Sequence, residues 1–411
     1  MRKVAFFGVL FSTLFLHAQN NSSNDDMEAL RKWLRDKRMI SVKEIGGDLS
    51  ISGEVRAEFQ YANERKNDIQ QYGTKAPVTA PRAAAAWDVE VNLMLDYRTD
   101  YTWASIKIEY DNDMGSGTGT LNKLKVERAY LGGRIVPGET FILDAEIGRR
   151  FLYNSFESKL EFSSLFDGIL IRLSKTFDSI GNFYLNGGPF LINDLDSHYG
   201  YVAELGALRI ANLGLNLKYS IIDWRKHYPS AVKNRRYDFL VSQLLVSYLC
   251  NPTWASGKLV KAYAMGVVNH LAEGVAVTAY QRANWGWDVG FAIGMVRKQG
   301  DWAIEVDYQW LQAQAVPDYD ISGIGRGNVE GVGLYSTTLA ASSNTATTIS
   351  TAVGNGNFQG IQFDALYAFT DNLTMEQSFK ISHTLNIFSD SSGKAPNITY
   401  KFFETEFIYG F

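Results

Sequence analysis

The chain ends Phe403-Glu404-Thr405-Glu406-Phe407-Ile408-Tyr409-Gly410-Phe411. Phe403, Thr405, Phe407, Tyr409 and Phe411 fall on one parity, and Glu404, Glu406, Ile408 and Gly410 on the other. Successive side chains of a strand point to opposite faces. The stretch therefore reads as a strand running to the last residue, mostly aromatic on one side and carrying two carboxylates on the other.

The opposite end agrees with export. Arg2 and Lys3 precede an almost unbroken apolar run from Val4 to Leu16, and Ala18 offers a small residue at a cleavage point before Gln19. This is the pattern of a secretory signal peptide, expected over residues 1–18, and the run is too short to span a bilayer as a helix. No later segment is long and apolar enough for a transmembrane helix, yet the chain carries 13% aromatic residues and 36 glycines. An exported chain with that composition suits a barrel with a greasy exterior and a wet interior. The single cysteine, Cys250, excludes an intrachain disulfide framework. Between leader and barrel, residues 19–45 read as a periplasmic segment. Leu30, Trp33 and Leu34 mark one face of a short amphipathic helix there, with Arg31, Lys32, Arg35, Lys37 and Arg38 as its basic residues.

From residue 46 to 411 one theme repeats: alternation over roughly ten positions, then a turn. Leu49, Ile51, Val55, Ala57, Phe59 and Tyr61 oppose Ser50, Ser52, Glu54, Arg56, Glu58 and Gln60. Trp87, Val89, Val91, Leu93, Leu95 and Tyr97 oppose Asp88, Glu90, Asn92, Asp96 and Arg98. Strands are expected to begin near residues 47, 86, 102, 122, 140, 166, 180, 199, 213, 237, 258, 285, 301, 358, 373 and 399. Their connections alternate short and long, the long ones at about 62–85, 112–121, 151–165, 188–198, 224–236, 269–284, 311–357 and 386–398. A β-sandwich has no reason to gather its long loops at one end. The expected fold is an all-β, antiparallel up-and-down transmembrane barrel of about sixteen strands. Two stretches fit poorly: 123–135, whose inward parity is ambiguous, and 239–248, where Gln243 has apolar neighbours on both faces. A subunit contact is one way for the second to lose its alternation.

The pattern resembles the Gram-negative outer-membrane porins of sixteen strands. In that class the closing aromatic strand is read by the barrel-assembly machinery, here through Phe407, Tyr409 and Phe411. The resemblance implies an outer-membrane location among lipid and lipopolysaccharide, a homotrimer, and passage of small hydrophilic solutes. It also implies that the loop after the fifth strand, at about 151–165, folds inward and narrows the channel. Phe151, Phe156, Leu160 and Phe162 would anchor that loop, leaving Glu157, Lys159 and Glu161 to face the opening across from Arg149 or Arg150.

Charges facing lipid are costly, so the polar parity must face the lumen. Candidate lumen residues are Glu54, Arg56, Glu58, Asp88, Glu90, Asp96, Lys107, Glu109, Glu305 and Asp307. Acids outnumber bases on this parity, which predicts cation preference. Asp111-Asn112-Asp113 and Asp318-Tyr319-Asp320 have calcium-ligand character, though polar turns explain both without metal. No paired histidines suggest zinc, no phosphate loop follows a strand, and no basic patch suits nucleic acid. No cofactor is expected. Two further classes remain open: a surface-interaction protein working through its long loops, and an outer-membrane hydrolase. The hydrolase requires a histidine beside a serine on the outer wall. His383 cannot use its neighbour Ser382, because adjacent strand residues point apart; His270 remains a candidate.

Overall fold

The computed structural model describes residues 40–44, 47–70, 84–115, 123–138, 140–194, 198–226, 239–272, 282–317, 320–324, 356–385 and 397–411. The leader and the basic amphipathic helix expected before residue 40 lie outside the described residues. Sixteen long strands close into one antiparallel barrel. They are β1 (Gly47–Lys66), β2 (Ala85–Arg98), β3 (Thr102–Asp113), β4 (Lys123–Val136), β5 (Phe141–Phe151), β6 (Leu165–Phe177), β7 (Gly181–Asn193) and β8 (His198–Leu208). The second half is β9 (Leu215–Lys226), β10 (Phe239–Cys250), β11 (Val260–Asn269), β12 (Trp285–Gly294), β13 (Trp302–Leu311), β14 (Phe358–Ala368), β15 (Leu373–Thr384) and β16 (Ile398–Gly410). Each pairs with the next, and β16 pairs with β1 from Ile398↔Lys66 to Gly410↔Glu54. A short strand, Ile40–Glu44, folds back on Gly47–Ile51, so the segment before the barrel ends as a strand.

No strand begins more than two residues from the position its alternation predicts. Long and short connections alternate as expected with one exception. Gly187, Gly188 and Pro189 stay within β7, leaving only 194–197 to join it to β8. A Cβ at Gly188 would come within 1.8 Å of the Ile169 carbonyl oxygen, so only glycine lets the strand continue there.

The ambiguous stretch at 123–135 contains a β-bulge. Lys107 pairs with Arg128 and Ile108 with Val126, leaving Glu127 as the extra residue. A bulge shifts the alternation by one, which blurs the parity on either side of it. The barrel closes at its last residue: Phe411 and Gly53 exchange backbone hydrogen bonds of 2.9 and 3.0 Å. The Phe411 ring lies so close over Gly53 that a Cβ there would meet it at 2.5 Å.

Leu93, Ile106, Leu131, Ile147, Ile169, Leu185, Leu205 and Val289 are exposed on the outer wall. Rings flank this band: Tyr61, Trp87, Tyr201 and Trp285 at the end with the long connections, and Tyr101, Phe177, Trp254, Tyr409 and Phe411 at the other. An apolar band between two aromatic girdles is what a wall facing lipid requires. No helix among the described residues is long and apolar enough to cross a membrane, but a barrel crosses with strands.

Candidate functional site

The connection after β5 folds into the barrel. Leu152, Phe156, Leu160 and Phe162 are buried there in one cluster with Phe166, Leu170, Phe190, Trp224, Val241 and Leu245 of the wall. The inward parity of β6 to β11 thus carries an apolar patch where it packs the loop. Packing against the loop accounts for the mixed pattern of β10. Gln243 faces inward and donates to the Glu157 carbonyl at 2.7 Å, while Val241 and Leu245 beside it pack the loop's rings.

A second segment clasps this loop. Residues 312–317 and 320–324, within the long connection expected at 311–357, carry buried Ala313, Ala315, Val316, Ile321 and Ile324. The Asp320 carboxylate accepts the Phe162 and Ser164 amides, both at 3.0 Å. Ser322 N–H donates to the Leu160 carbonyl at 3.1 Å. Phe162 holds φ +77°, a conformation unfavourable for a bulky side chain, and Asp320 captures the amide of that residue. Burial lifts Asp320 to about 7, against the pull of the two amides. Its carboxylate is committed to the loop, and its partner in the calcium reading, Asp318, lies outside the described residues. No group of three metal-ligating side chains forms among the described residues.

The loop's charged residues divide three ways. Glu157 reaches the wall bases, with Lys261 at 3.0 Å and Lys218 closer still. Lys159 pairs with Glu305 at 2.7 Å. Burial works against its ammonium, but Glu305, Asp307 and Asp364 outweigh it and hold the pKa above the ordinary lysine value. Glu161 is 1% exposed and does not face the opening. Burial, reinforced by Asp320 and Glu204, pushes its carboxyl well above the usual range.

Between the loop and the wall lies about 470 Å³ of open space, which β1 to β4 line on one side and Tyr184, Glu204 and Lys218 of β7 to β9 on another. Arg56, Lys107, Glu127 and Arg128 line it on the wall side, and Tyr153, Asn154, Ser155, Glu157 and Lys159 on the loop side. The wall bases are paired. Arg56 binds Glu54, Glu406 at 3.1 Å and Glu90 at 3.8 Å. Lys107 binds Glu127, and Glu109 at 3.7 Å. Arg128 lies 3.8 Å from Asp96.

Arg149 and Arg150 are not the bases opposite the loop. They are adjacent in β5 and point to opposite faces. Arg149 shares the outward parity of Ile147 and makes a two-pronged pair with Asp167, both contacts 2.7 Å. Arg150 is inward but buried in the wall, 2.7 Å from Glu146 and 3.6 Å over the Tyr130 ring. The wall bases that line the opening lie instead on β1, β3, β4 and β9, as Arg56, Lys107, Arg128 and Lys218, and Arg128 enters through the bulge. The Glu127-Arg128 break in alternation was the signal available in the sequence.

The wall beyond Arg56 carries a line of carboxylates. Glu376 lies directly opposite Glu406, Glu406 opposite Glu58, Glu58 opposite Asp88, and Asp88 opposite Asp113. Like charges in directly opposed positions are destabilising, so the fold holds this line against its own repulsion. Strands of a barrel tilt, so a line of opposed residues climbs the wall. It starts three residues into β15 at the short-turn end and finishes on the last residue of β3 at the other.

His270 Nε2 lies 2.6 Å from Ser242 Oγ at the exposed outer rim. No described residue orients its Nδ1, so the pair lacks the third group that positions a catalytic base.

No protein-family model matches the chain, and no curated protein matches its sequence. Solved structures match it by fold. Pseudomonas putida OprB at high pH superposes with a TM-score of 0.50 at 10% identity, over 96% of this chain and 99% of that chain. Salmonella typhi OmpF in complex with daunomycin gives 0.49 at 12% identity, over 90% of this chain and 100% of that chain. At 10% identity the likeness to OprB is one of fold. Together with the closed sixteen-strand topology, it makes the chain a porin-like β-barrel.

Proposed function

We propose that this protein is an outer-membrane channel for passive diffusion of small hydrophilic solutes and ions, with a preference for cations. The loop at 151–165 is its constriction, and solutes pass between that loop and the wall of β1 to β4. The line Glu376–Glu406–Glu58–Asp88–Asp113 carries the cation preference, since carboxylates on a lumen wall raise the local cation concentration. The outer aromatic girdles support the membrane location. The Phe407, Tyr409 and Phe411 face supports delivery by barrel-assembly machinery after secretion, and a homotrimer is the assembly this class implies.

Single-channel conductance of the refolded chain in a planar bilayer, with reversal potential under a salt gradient, tests the reading. Stable steps with a cation-selective reversal potential are expected. Anion selectivity would overturn the role of the carboxylate line. An inserted barrel without conductance would overturn the channel and leave the loops as the working surface.

A further inference from the structure

Lys159 does more than neutralise Glu305. Its ammonium sits at the mouth of a carboxylate cluster built by β12, β13 and β14. Glu305 and Asp307 share one face of β13, and Asp364 lies directly opposite Glu305. Asp288 reaches the same group from β12, within the field of Asp307, Lys159 and Glu305. Asp288 is 0% exposed, and no donor outside the cluster reaches either of its oxygens. Four acids thus share the field of Lys159. Lys261, held at 3.0 Å by Glu157, reaches the edge of the cluster 5.2 Å from the Tyr263 ring, and Lys380 acts on Asp364.

The ammonium is also specifically seated. Its Nζ lies 2.7 Å from Glu305 Oε1 and 5.4 Å from the centre of the Tyr263 ring. Tyr263 Oη donates to the same oxygen at 2.6 Å, fixing the carboxylate. A fixed carboxylate, an aromatic face and surplus negative charge form a receptor for an organic cation with N–H donors. They do not converge as ligands of a metal ion. Lys159 meanwhile lines the open space beside the loop, so removing its side chain joins the cluster to the solute path.

We propose that the Glu305–Asp307–Asp288–Asp364 cluster is a binding subsite for primary alkylammonium groups of permeating solutes, and that Lys159 is its tethered occupant. Amines and basic amino acids compete with Lys159 for Glu305. A tethered group acts at an effective concentration in the millimolar range, so the intact protein binds free amines weakly and releases them readily. The inference deepens the channel reading by naming a solute class; the site itself does not depend on conduction.

The test compares the refolded wild type, Lys159→Ala, and Lys159→Ala combined with Glu305→Gln, each checked for a folded barrel by heat-shifted gel migration. n-Butylammonium and tetramethylammonium are titrated by calorimetry and added to single channels. Lys159→Ala should bind n-butylammonium at least tenfold more tightly than wild type, and Glu305→Gln should abolish the gain. Tetramethylammonium, with no N–H to donate, should show no such gain. Equal gains for both cations, no gain in Lys159→Ala, or a gain that survives Glu305→Gln would overturn the subsite. A barrel silent in the bilayer counts against the channel alone, because calorimetry reads the site without conduction.

Discussion

Asp320→Ala should loosen the constriction without unfolding the barrel. The carboxylate accepts two loop amides at 3.0 Å in a fully buried position. Leaving a buried N–H without an acceptor costs about 1–3 kcal/mol, and water entering the cavity recovers part of it. The removed carboxylate was itself held against burial, which offsets more. A net weakening of about 2 kcal/mol shifts the docked–undocked balance roughly thirtyfold. Against this stand four buried anchors, Leu152, Phe156, Leu160 and Phe162, each worth about 1.5–3 kcal/mol. Glu157 adds two ion pairs. The loop therefore stays docked most of the time. The expected record is a main level like that of wild type, interrupted by brief excursions to larger conductance. A folded Asp320→Ala barrel whose traces match wild type would refute the clasp as the loop's restraint.

The same group sets a pH dependence. Asp320 titrates near 7 in the docked loop and Glu161 well above the carboxylate range. Both bind protons more tightly when docked, so docking is fully supported below the free carboxylate value and weakens as pH rises through about 7. Wild-type channels should be quieter at about pH 5 than at about pH 8, and Asp320→Ala should flatten the difference. Glu376→Gln with Asp113→Asn, at the two ends of the carboxylate line, should reduce cation preference. One carboxylate at ~7 Å in water is worth about 0.6 kcal/mol, roughly threefold in local cation concentration. The reversal potential should fall several-fold in its implied permeability ratio at low salt and little near ~1 M. Deleting Phe411 removes both closing hydrogen bonds to Gly53, and the yield of heat-shifted folded barrel should drop. Lys159→Ala is expected to gain amine affinity as described above.

The architecture was legible in the sequence because most strands announce themselves locally. Leu49 to Tyr61 and Trp87 to Tyr97 alternate with period 2, and turn residues cut the pattern at its ends, so the start of such a strand follows without knowing its neighbours. The terminal strand from Phe403 to Phe411 likewise declares its aromatic face. The anchors Phe156, Leu160 and Phe162 came with the resemblance to sixteen-stranded porins, which also put Phe151 among them; in the structure Leu152 is the buried residue there. What the sequence could not supply are relations between distant residues. Asp320 meets the Phe162 amide across 158 positions, and nothing local to either marks the bond. Lys159 finds Glu305, and Glu58 lies between Glu406 and Asp88, only once registers are fixed around a closed barrel. The one-residue bulge at Glu127 brings Arg128 to the opening, while unbroken alternation sends Arg149 to the outer wall. Alternation alone determined the barrel and which faces are greasy. Closure, register and one bulge decided which charges meet inside it, because a single-residue shift of a strand exchanges its two faces.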